Sequence, residues 1–482
     1  MDLATIGSQK KPATHSGYVG YDADTVKVRL HSICFSVKST LFVSALASTP
    51  GDVLKAYIRS ECRELSLVPN EQIRLLYRGI EISDGIPLAE HVSSCAELDL
   101  HFLVLAENTG IELLQCDGVP CPKVLAECLQ ECADGLRQAE PLLTESGCGG
   151  AYFLRGKEDE QTLAVFKPKD EEAGAPQNPR GFWGHENSRC YLPAVASAQR
   201  AVREVAAYLL DQSSGGHAQV PMTTMARCRH QSFVPAKING EPSVVWKLGA
   251  FQAFVENAET SENFGYSVHL VEDVHRIGIL DVRMVNFDRN HGNLLVQSAE
   301  TDSGKSRRLV PIDHGCSLPD RLGFSLQNVV WASWPQSKKP FGRAELEYIA
   351  QLDGQADAKM LAKTLGLERS CLRLLEMTTL WLQLAAAAGC TLYQIAAALF
   401  RSDEDRPSVI EGIIASCVAS AAAGVQGPSL SRSVTHCPSR KSVELGTGGI
   451  FGKVQWTAAL EETFRRHCEG HFKQLLRSEA HR

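Results

Sequence analysis

Asp288, Asn293 and Asp313 fall within one stretch, VNFDRNHGNLLV at 285–296 and RRLVPIDHG at 307–315, joined by a polar segment. Asp288 and Arg289 open a tight polar turn, and Asn293 follows five residues after Asp288. Leu294-Leu295-Val296 reads as a short strand and Leu309-Val310-Pro311-Ile312 as its returning partner, so two carboxylates and a carboxamide gather at the mouth of one hairpin. Phosphoryl transfer to an alcohol needs such a set. One Asp orients the attacking hydroxyl and accepts its proton, while an Asn and a second Asp hold the Mg²⁺ that bridges the nucleotide phosphates. A plain surface hairpin with Asx-turns uses the same residue types. The rest of the chain decides between the two.

Upstream, Ser146-Gly147-Cys148-Gly149-Gly150-Ala151-Tyr152-Phe153 is a glycine turn entering a strand. Gly147, Gly149, Gly150 and Ala151 let backbone N–H groups approach a phosphate without obstruction. In the next strand, TLAVFKPKDEE, alternation puts Leu163, Val165 and Lys167 on one face, and a lysine among apolar neighbours needs an anion. ATP phosphates supply one. Two carboxylates compete to orient Lys167. Glu204, at the edge of the apolar stripe of a helix over Ala196–Asp211, is preferred to Glu172. The strand Val244–Leu248 runs into GAFQAFVEN, and by its order in the chain Gln252–Val255, with Phe254 between, is the hinge whose backbone meets the adenine edge. A helix over Val268–Met284 then leads into the Asp288 turn.

Composition narrows the class. The chain has 482 residues, a formal net charge of −7 and an ordinary apolar fraction, so two or three soluble domains are expected and a nucleic-acid partner is not. No run reaches the length of a membrane span, and residues 1–17 have no apolar core, so no secretory signal is expected. The sixteen cysteines are irregularly spaced. Cys116/Cys121 and Cys128/Cys132 give no zinc knuckle, and reduced, mostly buried thiols in the cytoplasm are expected.

Gly-x-Gly-Gly-Ala-Tyr-Phe, Val-Phe-Lys-Pro-Lys-Asp-Glu-Glu, Asn178-Pro179-Arg180-Gly181, Arg-Glu-Val-Ala-Ala-Tyr-Leu-Leu-Asp, Phe-Gln-Ala-Phe-Val, Asn-x-Asp-Arg and Pro-Ile-Asp-His-Gly occur in this order between about Gly147 and Arg401. Together they resemble the phosphatidylinositol 3-/4-kinase family, within it the type II and plant gamma phosphatidylinositol 4-kinases. The resemblance implies an α+β, two-lobed, protein-kinase-like fold with ATP and Mg²⁺ (or Mn²⁺) between the lobes. It implies Asp288 as catalytic Asp, Arg289 beside it as a second catalytic residue, Lys167 on the phosphates as a third, and Asn293 and Asp313 on the metal. Three departures stand out. Asn290 holds the position where many members have His, with His291 after it, which leaves a His contact to the transferring phosphate unsupported. The palmitoylated cysteine run of the type II group is missing, since Phe182–Pro193 contains only Cys190. The segment Gln297–Arg308 lengthens the hairpin and reads as a solvated insertion.

Val26–Leu105 resembles ubiquitin, chiefly through IRLLYRGIEISDG. The resemblance implies a β-grasp docking module for a ubiquitin-pathway protein, with Leu76 in the recognition patch and His101 where the patch would have an aliphatic residue. The expected organisation is a flexible tail (1–25), this module (26–105), a helical connector (106–145), the catalytic domain (146–419), a Ser/Gly-rich linker (420–450) and a C-terminal helix (451–482) with no assigned docking face. Trp331 and Trp334 are expected in the core rather than at a membrane.

Between His314 and Phe341, Arg321, Lys338 and Lys339 lie among Leu318, Leu322 and Phe324. That mixture suits an inositol phosphate at a bilayer surface better than an extended peptide, and no Ala-Pro-Glu follows Asp313 as protein kinases have. The expected activity is ATP-dependent phosphorylation of phosphatidylinositol, by peripheral contact with the membrane. A protein Ser/Thr kinase and a weakly active ubiquitin-pathway adaptor are the alternatives.

Overall fold

The computed structural model describes residues 25–32, 40–62, 73–77, 80–85, 87–88, 97–104, 112–115, 118–157, 161–185, 187–189, 194–238, 241–301, 304–422, 451, 454 and 456–480. The expected N-terminal tail, most of the Ser/Gly-rich linker, Cys190 and the Leu76 side chain lie outside the described residues.

Five strands form the first sheet: β1 (Thr25–Ser32), β2 (Thr40–Leu46), β3 (Ile73–Tyr77), β4 (Ile80–Glu81) and β5 (Glu97–Val104). Their order is β2-β1-β5-β3-β4, with β1 and β5 parallel and the remaining pairs antiparallel. Alternation sets the faces: Val28 and Leu30 are buried, Lys27 and Arg29 exposed. The helix Gly51–Glu61 lays Leu54 and Ile58, one turn apart, onto the buried face with Ile73, Leu75, Leu100 and Phe102. On the outer face His101 stacks on His31 at 5.2 Å.

A second sheet of six antiparallel strands follows, in the order β6-β10-β13-β9-β8-β7. Its members are β6 (Glu112–Gln115), β7 (Leu142–Leu143), β8 (Tyr152–Arg155), β9 (Thr162–Pro168), β10 (Thr223–Arg229) and β13 (Lys247–Ala253). β11 (Ala236–Ile238) and β12 (Glu241–Ser243) make a separate two-stranded ribbon. The helix Lys123–Gly135 packs Leu125, Leu129 and Cys132 against Leu154, Phe166 and Phe251 of this sheet. The stretch expected as a helical connector is therefore part of the small lobe. Its one helix lies under the sheet, and β6 and β7, too short to show a period, extend the sheet at its two edges.

The large lobe is built from the helices Val271–Met284, Arg343–Gln351, Gly354–Leu365, Arg369–Ala387, Leu392–Leu399 and Val409–Ala422. Trp331 and Trp334 are interior to it. The C-terminal helix, Ala458–Ala480, docks on this lobe. Phe464, Cys468 and Phe472 recur every fourth residue on its buried stripe, and Phe472 meets Trp381 at 5.6 Å. Glu461 at its first turn receives Arg369 and Arg373 at 2.6 and 2.7 Å. A three-stranded sheet of β14 (Ala258–Thr260), β15 (Leu294–Thr301) and β16 (Gly304–Pro311) packs Leu294, Val296 and Leu309 into the core of the large lobe. The segment expected as a solvated insertion is strand: Gln297 pairs with Arg308, Ser298 with Arg307, and the ladder runs to Thr301 and Gly304. Polar side chains on both faces hid the alternation, while the backbone ladder continued regardless.

Candidate active site

β9 delivers the lysine. Ala164 and Phe166 point into the core, so Lys167 emerges on the opposite face beside Val165. Its Nζ lies 2.5 Å from Glu204 Oε1 and 3.6 Å from Asp313 Oδ1. Glu204 belongs to the helix Arg200–Ser213, which starts without a cap from its own N-cap residue. Glu172 supplies it from outside, accepting the Arg200 and Ala201 N–H groups at 3.0 and 2.8 Å. The two carboxylates weighed for Lys167 thus have separate work. Glu204 holds the lysine and Glu172 holds the helix that carries Glu204.

Glu204 also accepts the His314 N–H at 3.1 Å, so helix, lysine strand and Asp313 loop close into one triangle. Burial pushes the Glu204 carboxyl up, but the Lys167 ammonium and the His314 contact outweigh it and hold the group well below the usual carboxylate range. Burial pushes the His314 imidazole down, against the pull of Glu204. Lys167 draws the Asp313 carboxyl down, yet the neighbouring Glu204 and Asp288 carboxylates push the other way and the group stands raised on balance, with 52% of its side chain exposed. Asp313 itself sits at φ 51°, a left-handed conformation that costs a non-glycine residue about 1–3 kcal/mol and that clusters at functional sites.

The Asp288 turn is held from beneath. The helix Val271–Met284 ends with Val285 in the left-handed region, and its Asp281 carboxylate, fully buried, accepts from Arg289 Nε (2.9 Å), Asn286 Nδ2 (3.0 Å) and Trp331 Nε1 (2.9 Å). Arg289 Nη1 then reaches the carbonyls of Asn293 and Ile312, each at 2.6 Å. Arg289 was expected among the groups that touch the reaction. With no exposed surface and its donors committed to Asp281 and these carbonyls, it is a positioning residue that ties Asn293 to the approach of Asp313. Asp288 stands half-buried on this base, its carboxylate accepting from Asn290 Nδ2 at 3.1 Å. Asn293 donates its amide N–H to the Asp288 carbonyl at 2.7 Å, which leaves the Asn293 side-chain oxygen for a cation. His291, next to Asn290, bonds Ser261 Oγ at 3.1 Å instead.

The glycine turn is braced by residues whose role the sequence did not announce. Gly147 has φ +101°, and a Cβ on Gly150 would lie 2.4 Å from Glu171 Oε2. Asn178, almost fully buried, donates to Cys148 O at 2.7 Å and Glu171 O at 3.1 Å. Arg180 reaches the carbonyls of Gly149, Glu145 and Thr144. Behind them Lys247, Glu171 and Tyr152 form one buried chain that ends on the partly exposed Asp170, with Lys247 Nζ at 2.6 Å from Asp170 and 2.9 Å from Glu171. The motif Asn178–Gly181 carried the only hint of this support.

At the expected hinge, Gln252 turns its amide onto Thr223 Oγ1 at 2.9 Å. Its side chain serves the sheet rather than a ligand. The Phe254 N–H is taken by Leu163 O at 2.9 Å, while among the described residues the Phe254 carbonyl and the Val255 N–H have no backbone partner. Phe254 meets Phe153 edge-on at 5.7 Å, which puts an aromatic pair beside that free backbone edge. Of the residues expected at the acceptor, Lys338 and Lys339 are exposed, with Lys338 over the Tyr393 ring at 5.1 Å. Arg321 is paired with Asp320 at 2.8 Å. Leu318 and Leu322 are interior, and Phe324 stacks on Phe287 at 4.0 Å. Leu318 and Leu322 are therefore core residues, while Phe324 is half-buried against Phe287, the residue before Asp288.

A lysine–glutamate pair on a glycine-turn lobe, facing an Asp–Asn–Asp set on a buried base, defines a kinase-type site. Residues 147–395, just over half of the chain, match the family described as phosphatidylinositol 3- and 4-kinase, and the chain belongs to that family. It is 38% identical over 309 residues to phosphatidylinositol 4-kinase gamma 6 of Arabidopsis thaliana, covering 61% of this chain and 49% of that one. It is 40% identical over 283 residues to gamma 7 of the same plant, covering 56% and 43%. With phosphatidylinositol 4-kinase gamma 4 of Oryza sativa subsp. japonica it shares 36% over 283 residues, covering 57% and 47%. The chain spans about half the length of the curated relatives it matches.

Proposed function

We propose that the chain transfers the γ-phosphate of ATP to position 4 of the inositol ring of phosphatidylinositol, at a cytoplasmic membrane surface that it contacts peripherally. The observation that carries the reading is the triangle of Lys167, Glu204 and Asp313 opposite Asp288 and Asn293. Lys167, oriented by Glu204, holds the nucleotide phosphates under the glycine turn, and the Phe254–Val255 backbone takes the adenine edge. Asp288 orients the inositol hydroxyl and accepts its proton. Asn293 and Asp313 offer hard oxygen donors suited to Mg²⁺, or Mn²⁺ in its place, and a carboxyl raised by neighbouring carboxylates is one a divalent cation relieves. When bound, that ion neutralises charge on the transferred phosphoryl group.

The five-stranded unit serves, in this reading, as a ubiquitin-like β-grasp module for a ubiquitin-pathway protein. Its strand order with β1 and β5 parallel and one packed helix supports that assignment. Radiolabelled ATP offered with phosphatidylinositol vesicles and with a generic protein substrate, side by side, tests the acceptor. Label is expected in the lipid at the 4-position and absent in the Asp288→Ala chain. Efficient labelling of Ser/Thr in the protein with none in lipid would put the protein-kinase reading in its place, and nucleotide binding without transfer to either would leave the adaptor.

A further inference from the structure

Cys148 sits inside the glycine turn and is the one exposed cysteine among the described residues. The Arg200 guanidinium reaches it, with Nη1 3.7 Å from Cys148 Sγ, while Nη2 donates to Ala173 O at 3.4 Å. Arg200 opens the helix that carries Glu204, and beside it runs the loop after Asp313. There Gly315 passes so close that a Cβ would lie 3.0 Å from Arg200 Cβ, and Cys316 is the next residue. Burial pulls the Arg200 guanidinium down, but Cys316, Glu172 and Cys148 together hold it above its usual range. One cation therefore faces two sulfurs, one on the glycine turn and one just beyond Asp313.

Nothing in the transfer chemistry uses either sulfur. Cys132, Cys228 and Cys371 are packed as core thiols are, whereas Cys148 is open and Cys316 only half-buried. The Cys316 carbonyl accepts the Phe287 N–H at 3.1 Å, so this thiol stands on the backbone that carries Asp288. Burial pushes the Cys316 thiol up, with Asp288 and Cys148 among the groups that add to it. An accessible thiol with a second thiol close by is the arrangement that a peroxide converts to a disulfide. The exposed member meets the oxidant and the shielded one resolves it. Closure needs the two Cα atoms within about 7 Å. Gly147 and Gly149, on either side of Cys148, let the turn bend to that reach.

We propose that Cys148 and Cys316 are a redox pair, in which a peroxide oxidises Cys148 and Cys316 then closes a disulfide onto it, tying the glycine turn to the loop after Asp313 and shutting the nucleotide cleft. The inference rests on the nucleotide part of the proposed reaction and needs no particular acceptor. In the first step the O–O bond of hydrogen peroxide breaks, the Cys148 thiol becomes a sulfenic acid, and one water leaves. In the second the Cys316 sulfur attacks the Cys148 sulfur, the S–S bond forms, and the sulfenic oxygen leaves as a second water with the Cys316 proton. Peroxide gains the two electrons that the sulfurs lose. A dithiol reductant returns both thiols and reopens the cleft.

The full chain, reduced and freed of reductant, is treated with hydrogen peroxide, alkylated at its remaining thiols and cut with trypsin without reduction. The fragments 138–155 and 309–321 each hold a single cysteine, Cys148 and Cys316, so the bridge is read as their joined mass less two hydrogens. That species is expected to form and to disappear with a dithiol. Affinity for ATP, measured by equilibrium dialysis, should fall about ten-fold or more on oxidation and recover with it. In Cys316→Ser the bridge should be lost, with Cys148 trapped as a sulfenic acid by dimedone. In Cys148→Ser peroxide should leave ATP affinity at that variant's own untreated value. Oxidation of Cys148 without the joined fragments overturns the pair, as does the same peroxide-induced loss in Cys148→Ser. A bridge that leaves ATP affinity unchanged overturns the closing of the cleft. A chain that bridges and loses ATP, yet phosphorylates no phosphatidylinositol when reduced, supports the redox pair and removes the lipid reading.

Discussion

The two halves of the cleft are supported in opposite ways. The catalytic turn rests on Asp281, Arg289 and Trp331, all without solvent access and bonded to one another at 2.9 Å. The glycine turn hangs from a rim, where Asn178 and Arg180 grip backbone carbonyls. A buried ion pair pins geometry to fractions of an ångström but penalises the loss of either partner heavily. The rim's contacts to those carbonyls come from the Asn178 amide and the half-buried Arg180 guanidinium. Each gives way at lower free energy than a fully buried ion pair, although the Lys247–Glu171 pair stands behind them. In the proposed reaction the half assigned to the acceptor hydroxyl and the metal is therefore the stiff one, and the half assigned to the nucleotide is the yielding one. That division suits phosphoryl transfer, where the in-line geometry has to be fixed while nucleotide enters and leaves.

The largest effect should come from cutting the stiff support. Arg289→Ala leaves Asp281 charged and buried with only Asn286 and Trp331, and removing one partner of such a pair costs about 3–5 kcal/mol. Thermal unfolding should shift downward by many degrees and turnover should vanish with it. Arg289→Lys cannot rebuild the contacts to both carbonyls and Asp281, and should rescue stability only in part. If Arg289→Ala melted like the wild type, the contrast between the two supports would be gone.

Asp288→Ala separates chemistry from stability. Asp288 is half-buried and takes no part in the Asp281–Arg289 ion pair beneath it, so its loss should leave the melting temperature nearly unchanged. Loss of a positioned general base lowers turnover roughly 10²–10⁴-fold. Nucleotide affinity, read by equilibrium dialysis, should persist because Lys167 and Glu204 are untouched. A third variant probes the rim. Asn178→Asp keeps the shape but turns two donors into acceptors facing Cys148 O and Glu171 O. With a penalty of about 1–3 kcal/mol for unsatisfied buried groups, the Michaelis constant for ATP should rise about ten-fold, and turnover at saturating ATP should fall much less. A turnover collapse with unchanged ATP affinity would place Asn178 in the stiff half.

What the sequence disclosed and what it hid follow the same division. Asp288, Asn293 and Asp313 were readable because they lie within 26 residues on one hairpin, where spacing alone reports geometry. Glu204 was readable as a charge at the margin of an apolar stripe. Asp281 was not, since the partner that explains it as a buried acceptor, Trp331, lies 50 residues away. Arg289 looked catalytic because it neighbours a catalytic position, and sequence carries no sign of which way a side chain turns. The roles of Asn178 and Arg180 were equally silent, because their partners are carbonyls and any residue type has one. The C-terminal helix showed its stripe but not its dock: Phe464 and Phe472 announce a buried face, and only the fold supplies Trp381 opposite.

The smallest effect is expected at the N-terminal unit, and there the position of the cut matters more than the unit. Its core of Val28, Leu30, Ile58 and Phe102 is separate from the cores around the cleft. Removal of residues 1–105 should leave turnover on soluble substrate within a few-fold and should abolish any pull-down that depends on this unit. Removal of residues 1–117 takes β6 as well. That strand pairs Glu112–Gln115 with Ala226–Arg229 at the edge of the small-lobe sheet, and at about 1 kcal/mol net per ladder bond its loss costs roughly 2–4 kcal/mol. β10, newly exposed as an edge, also invites self-association. The shorter chain should melt lower and aggregate at concentrations where the longer one stays dispersed, as light scattering would show. Identical melting of both truncations would mean that β6 belongs to the N-terminal unit after all, and a folded but inactive 106–482 chain would mean that the N-terminal unit braces the small lobe.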